Sequence, residues 1–203
     1  MYKIQPAITR QAMRQTGNLV PMAPRFFPVN LGRSWTYRTV SRQTVDGKLA
    51  EDVTIERERI DGVTPLSEPV GDASWVVSLS HDMTMADRTH EHFTTTLYLA
   101  EAMVLDGEGA PFLSTDTSWA NISVDGLTTY RHEAMDGVSV EVMAGRFSDV
   151  RLVTQQATRE GVVIYTRQDW YAAGVGRVKS EFVQVTDLGA FTETRELVAY
   201  EAE

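Results

Sequence analysis

The sequence predicts an antiparallel all-β domain, and three observations carry that expectation. Short runs rich in Val, Thr, Ile, Tyr, Phe and Trp follow one another from Arg33 onward. Apolar and polar residues alternate within them, and Asp-Gly, Gly-Glu-Gly and Gly-Val-Gly separate them. About ten strands with short links and no convincing helix point to a barrel-like or strongly curved sheet, or a sandwich, and not to a βαβ fold.

The elements follow in order. Residues 6–17 are expected to form a short helix, with Pro6 in its first turn, Gly17 as its stop, and Ile4, Ile8 and Ala12 on one face. Pro21, Pro24 and Pro28 then impose an extended connector, so residues 1–28 read as an arm and residues 29–203 as the β-domain. Trp35, Tyr37 and Thr39 alternate with Thr36, Arg38 and Val40 in the first strand. Asp46-Gly47 marks a hairpin into a strand over 51–60, which Asp61-Gly62 should close, and Pro65 with Pro69 marks a longer loop. Further strands are expected over 75–80, 92–100, 127–133, 138–143, 149–157, 162–171, 176–186 and 191–199, with a loop around 107–111.

Composition limits the function classes. The chain of 203 residues is long enough to bury a core without staples, and with no cysteine it has neither disulfides nor a thiol nucleophile. No run of about 18 apolar residues predicts a membrane-spanning helix, and the N-terminal residues lack the apolar core of a secretory signal. The net charge of −9 hides an asymmetry: residues 1–45 carry seven basic and no acidic side chains, the remainder 12 basic and 28 acidic. An acidic body disfavours nucleic acid and anionic membranes as partners, while a basic arm suits a neighbouring copy or folding back on its own domain.

Three segments occur together in this order: Phe26-Phe27-Pro28-Val29-Asn30-Leu31-Gly32-Arg33-Ser34-Trp35-Thr36-Tyr37, then Val142-Met143-Ala144-Gly145-Arg146-Phe147-Ser148-Asp149-Val150, then Trp170-Tyr171-Ala172-Ala173-Gly174-Val175-Gly176-Arg177-Val178-Lys179-Ser180-Glu181. They resemble the "yFPl..G..W.Y", "v.aG.F.dv" and "yyApGvG.Vk.e" segments of a loose group of bacterial secreted or lipoprotein-like β-domains of unassigned function. The resemblance implies a curved, barrel-like antiparallel sheet in an envelope setting and brings no catalytic residues. Ala173 stands where that pattern favours proline, and the lipidated cysteine that often precedes such domains is missing. Read physically, Gly145 and Gly174 supply positive φ at turns, and the aromatic residues supply core surface.

Candidate chemistry is sparse. His90 and His92 lie two apart on a strand and share a face, so they are the weak metal candidates, with His81, Asp82, Glu91 or His132 as a third ligand. Surface histidines are the simpler account. Ser78-Leu79-Ser80-His81-Asp82 contains the residue types of a triad but no nucleophile elbow. Glu56 and Glu58 share a strand face opposite Arg57 and Arg59, a pattern expected of a solvated strand with cross-strand ion pairs. Of the four tryptophans, Trp119 is expected at the surface, and Trp35, Trp75 and Trp170 in the core.

No catalytic residue, cofactor or metal is therefore assigned. The leading expectation is a non-enzymatic structural or accessory subunit of an extracytoplasmic or envelope assembly, acting through a partner-binding arm that uses Ile4, Ile8, Arg10, Arg14, Leu19, Met22 and Arg25. The alternatives are a carrier of an apolar ligand in a β-sheet cavity and, behind it, a metal-dependent enzyme. A solid, side-chain-filled interior would remove the carrier.

Overall fold

The structure is a computed structural model that describes residues 25–45, 47–186 and 189–202. The helix expected over 6–17, and the arm residues Ile4, Ile8, Arg10, Arg14, Leu19 and Met22, lie outside the described residues.

Twelve strands form one antiparallel, barrel-like sheet: β1 (Ser34–Val45), β2 (Lys48–Val70), β3 (Ala73–Thr84), β4 (His90–Ala100), β5 (Met103–Leu105), β6 (Pro111–Ser114), β7 (Ser118–Ile122), β8 (Thr128–Val142), β9 (Gly145–Arg159), β10 (Val162–Ala172), β11 (Gly176–Thr186) and β12 (Gly189–Glu201). Their order is β6-β5-β4-β3-β2-β1-β12-β11-β10-β9-β8-β7. The first and last strands thus pair in the middle of the sheet, Ser34 opposite Glu201 and Val45 opposite Gly189. The two free edges, β6 and β7, are consecutive in sequence, and residues 115–117 span the seam between them. Thr115 N–H donates to Ala102 O and Ala134 N–H to Thr117 O, each at 2.8 Å. The buried Arg151 holds both carboxylate oxygens of Asp136 at 2.8 Å and also donates to the carbonyl of Asp116. These contacts anchor residues 115–117 to both sides of the seam, which no backbone ladder closes among the described residues.

Because successive strands run antiparallel, every second turn falls at the same end. The β1–β2, β3–β4, β5–β6, β7–β8, β9–β10 and β11–β12 turns form one rim, and the start of β1 and the end of β12 lie at the opposite end. At that terminal end the segment before β1 plugs the barrel. Phe26 and Phe27 are buried with Trp35 and Val175 in the main apolar cluster. Trp35 Nε1 donates to Val175 O at 2.6 Å, Arg33 Nη1 to Gly174 O at 2.5 Å, and Gly174 N–H to Arg25 O at 2.7 Å. Gly174 has φ of 71° and Gly176 106°, and a Cβ on Gly176 would meet the Trp35 ring at 3.4 Å. Only glycine fits both demands there.

Several sequence expectations change in detail. Asp61-Gly62 does not end a strand: β2 continues through it with a register shift between Ile60 and Gly62, and Pro65 still pairs with Trp75. A bulge absorbs the turn signal without breaking the ladder. Strands expected separately over 127–133 and 138–143 are the single β8, again with irregular register between Met135 and Val138. The short β5, β6 and β7 lie between the strands expected over 92–100 and 127–133, where the sequence predicts no strand. Residues 25–28, assigned to the arm, are attached to the body, since Phe26 and Phe27 are buried and Arg25 pairs with Asp149 at 2.6 Å.

The core predicts its own sensitivity. Leu197, fully buried on β12, should cost about 2–5 kcal/mol when changed to Ala, because a cavity remains. Val183→Ala on the exposed face of the neighbouring β11 should cost under about 1 kcal/mol. Urea denaturation of both variants checks the contrast.

Candidate functional site: a cavity inside the barrel

Above the plug, the barrel encloses a cavity of about 940 Å³. Phe27, Trp35, Tyr37 and Tyr171 form its floor, and the β5–β6 turn (residues 106–110) and β7–β8 turn (residues 123–125) border its mouth. The wall is built in layers.

The lowest layer is charged and buried. Glu56 and Glu58 alternate with Arg57 and Arg59 along β2, and the glutamates face inward, 8% and 7% exposed. Glu58 Oε1 accepts from Arg195 Nη2 at 2.6 Å and from Arg177 Nη2 at 3.4 Å. Glu56 Oε2 lies 3.2 Å from Arg195 Nη2, and Glu56 Oε1 lies 2.7 Å from His81 Nδ1. His81 Nε2 meets Thr95 Oγ1 at 2.6 Å, and its ring stacks on Phe93 at 4.5 Å. Asp169 binds Arg167 through both oxygens, at 2.7 and 3.1 Å, and approaches Arg177 at 3.8 Å. Arg195 also lies 4.0 Å above the Tyr37 ring.

Electrostatics follow from this packing. Burial pushes the Glu56 carboxyl up, but the His81 hydrogen bond and the charges of Arg195, His81 and Arg177 outweigh it and hold Glu56 below its usual range. Burial likewise raises the Tyr37 and Tyr171 hydroxyls, so both rings stay neutral. For Arg177, burial opposes the charge, and Glu58 and Asp169 more than restore it.

A second layer is polar but uncharged. His132 on β8 is 2% exposed and stacks on Trp119 at 4.8 Å. Its Nε2 lies 3.0 Å from Asn121 Oδ1 and 3.5 Å from Gln155 Nε2, while its Nδ1 has no hydrogen-bond partner among the described residues. One Nε2 cannot both donate to the Asn121 oxygen and accept from the Gln155 amide, and the shorter contact selects the Nε2–H form. Burial pulls this imidazole down to about 4, against an opposing pull from Asp169. Towards the rim, four half-buried rings run across the wall: Tyr130, Tyr165, Phe182 and Phe191, with successive centroids 6.4, 5.0 and 5.9 Å apart.

Set beside the sequence, Glu56 and Glu58 do share a face, but it is the barrel interior and not a solvated surface. Arg195, which pairs with both, lies 137 residues from Glu58 and further still from Glu56, a distance no local pattern encodes. His90 and His92 are exposed; His90 Nδ1 meets Thr84 Oγ1 at 3.0 Å and His92 Nδ1 meets Asp82 Oδ1 at 2.8 Å. His81, named as a third ligand beside them, turns to the interior instead. Ser80 and Asp82 flank it on the other side of the pleat, so that segment assembles no triad. Trp119, expected at the surface, is half-buried and donates to Pro111 O at 3.3 Å across the seam.

One further cluster has metal-ligand chemistry: donor atoms of Glu56, Glu58 and His81 lie within 4.8 Å of one another. The residues fit a metal poorly. Both carboxylates are already neutralised by Arg195 and Arg177, which a divalent ion would have to displace inside a closed wall.

His132 predicts an acid-sensitive component of stability. The unfolded chain binds a proton near pH 6.5 that the folded chain refuses until about 4, so this contribution is present above 6.5 and is lost as pH falls towards 4. Its size is up to about 3 kcal/mol. Urea denaturation from pH 7.5 to 4.5 should show wild type losing more stability than His132→Gln; equal losses would remove the assignment.

No family model and no curated protein matches the chain. Among solved structures it is similar to a provisionally assigned exported protein with a YmcC-like fold from Bacteroides fragilis NCTC 9343, at 14% identity over 86% of this chain and 98% of that one, with a TM-score of 0.46. A provisionally assigned lipoprotein from Parabacteroides distasonis ATCC 8503 is similar at 13% identity over 87% and 98%, TM-score 0.47. A LolA superfamily protein from Nitrosomonas europaea is similar at 13% over 89% and 90%, TM-score 0.35. At these values none of them transfers a role to this chain.

Proposed function

We propose that this chain is a non-enzymatic binding protein that holds a ligand with an apolar body inside its barrel. The observation that carries this reading is the cavity of about 940 Å³, which lies within the range of roughly 300–1,000 Å³ usual for small-molecule sites. A solid interior would have excluded a carrier. Tyr130 and Tyr165 line the cavity and offer ring surface to the ligand, and Phe182 and Phe191 continue the row beyond its lining. The carboxylates of the buried charge layer and His81 are each engaged in ion pairs or hydrogen bonds, which supports binding over catalysis.

Native mass spectrometry of protein purified without detergent should reveal a co-purifying small molecule or, after organic extraction, an empty form that binds the apolar dye N-phenyl-1-naphthylamine. Leu97→Trp, which fills the cavity from β4, should reduce dye binding at least about tenfold while leaving the β-sheet circular dichroism in place. An extracted wild type that neither carries nor takes up any apolar molecule would remove the proposal.

Assembly through the N-terminal arm is a second, compatible reading, supported by seven basic and no acidic residues before Asp46 on a body rich in acid. Deleting the residues before Phe26 spares the aromatic plug and should leave a cooperatively folded domain that no longer assembles. Gel filtration with light scattering checks this, and an unchanged assembly state would refute the arm's role.

A further inference from the structure

We infer that the cavity is selective for an uncharged amphiphile, one whose polar end is a hydroxyl, carbonyl or ester, and against carboxylates, phosphates and amines. This rests on the carrier reading and specifies its ligand.

The charges inside the barrel already cancel. Glu56, Glu58 and Asp169 face Arg167, Arg177 and Arg195, and each carboxylate lies within 3.2 Å of a guanidinium nitrogen. Arg167, which lines the cavity, has both Nε and Nη2 committed to Asp169. Below the mouth, a ligand carboxylate would bring one unpaired charge into a layer whose guanidinium groups are each ion-paired, and an ammonium would find each buried carboxylate already ion-paired. The mouth adds to the bias against anions, because Asp106, Glu108 and Asp125 border it.

Apart from the Nε of Arg177 and Arg195, buried without a hydrogen-bond partner within ion-paired guanidinium groups, the hydrogen-bonding capacity that remains belongs to neutral groups. With His132 Nε2–H committed to Asn121, the Gln155 amide N–H has only a 3.5 Å neighbour that offers it no lone pair. Tyr130 faces the same space, and its hydroxyl makes no hydrogen bond to a described residue. Gln155 and Tyr130 lie on adjoining strands, Tyr130 at the end of the aromatic row and Gln155 opposite His132 beside it, where the polar end of a molecule lying along those rings would arrive. An N–H and an O–H suit a carbonyl or hydroxyl oxygen.

Three probes with one chain length separate charge from apolar surface: methyl laurate, laurate and dodecylamine, each displacing N-phenyl-1-naphthylamine from extracted full-length protein at pH 7. Methyl laurate should bind at least about tenfold more tightly than either charged probe. Gln155→Leu should weaken methyl laurate severalfold without changing the urea midpoint by much. Asp169→Asn, which frees Arg167, should raise laurate affinity about tenfold and leave methyl laurate unchanged. Laurate or dodecylamine binding wild type as well as the ester does would overturn the selectivity while leaving the carrier standing. If no probe displaces the dye because the dye itself never binds, the carrier reading falls and the selectivity with it.

Discussion

The rest of the molecule depends on the charge layer in which Glu58 Oε1 receives Arg195 and Arg177 beneath the open part of the barrel. Burying isolated charges would cost several kcal/mol each, so the layer is tolerable only when carboxylate and guanidinium arrive together. They arrive from distant parts of the chain: β2 brings Glu56 and Glu58, β3 His81, β10 Asp169, β11 Arg177 and β12 Arg195. A slip of one residue in any of these strands would turn its charge to the outside and strand its partner within. The network therefore acts on register more than on net stability. It ties the N-terminal hairpin pair to the C-terminal one across the β1–β12 junction, where no turn does so.

The same layer explains why a cavity exists. Below it, Phe26, Phe27, Trp35, Val175 and their neighbours fill the terminal end to core density. Within and above it, Arg167, Asp169, His132 and Tyr165 are ion-paired or hydrogen-bonded to neighbours in the wall and cannot turn inward to fill the space without breaking those bonds. Apolar rings resume near the rim, facing a space bordered by polar groups. A ligand with an apolar body and an uncharged polar end matches that sequence of surfaces from the mouth to the floor.

Much of the architecture was legible in the sequence. Strand texture, Asp-Gly turns and glycines with positive φ led to an antiparallel, barrel-like sheet, and Gly145 and Gly174 have positive φ as expected. What misled were local signals overridden by pairing: Asp61-Gly62 and Pro65 sit inside β2 because β3 pairs with that stretch, Gly62 opposite Ser78 and Pro65 opposite Trp75. The short β5, β6 and β7 carry too few residues to show a period. The site was the least legible part. Alternation placed Glu56 and Glu58 on one face, yet the choice between inside and outside rests on Arg177 and Arg195, more than a hundred residues away. A charged strand face resembles a solvated one until its counter-charges are located. Their common face with Ile60, fully buried on the same strand, was the one local hint that they point inward.

The most direct measurement is a high-resolution crystal structure of the full-length protein purified without detergent. The account predicts Glu58 bridging Arg177 and Arg195 inside an open barrel, with space or elongated non-protein density between the aromatic row and the Phe27–Trp35 floor. A collapsed interior, with Tyr165 and Phe182 packed down on that floor and Glu58 turned to solvent, would contradict it.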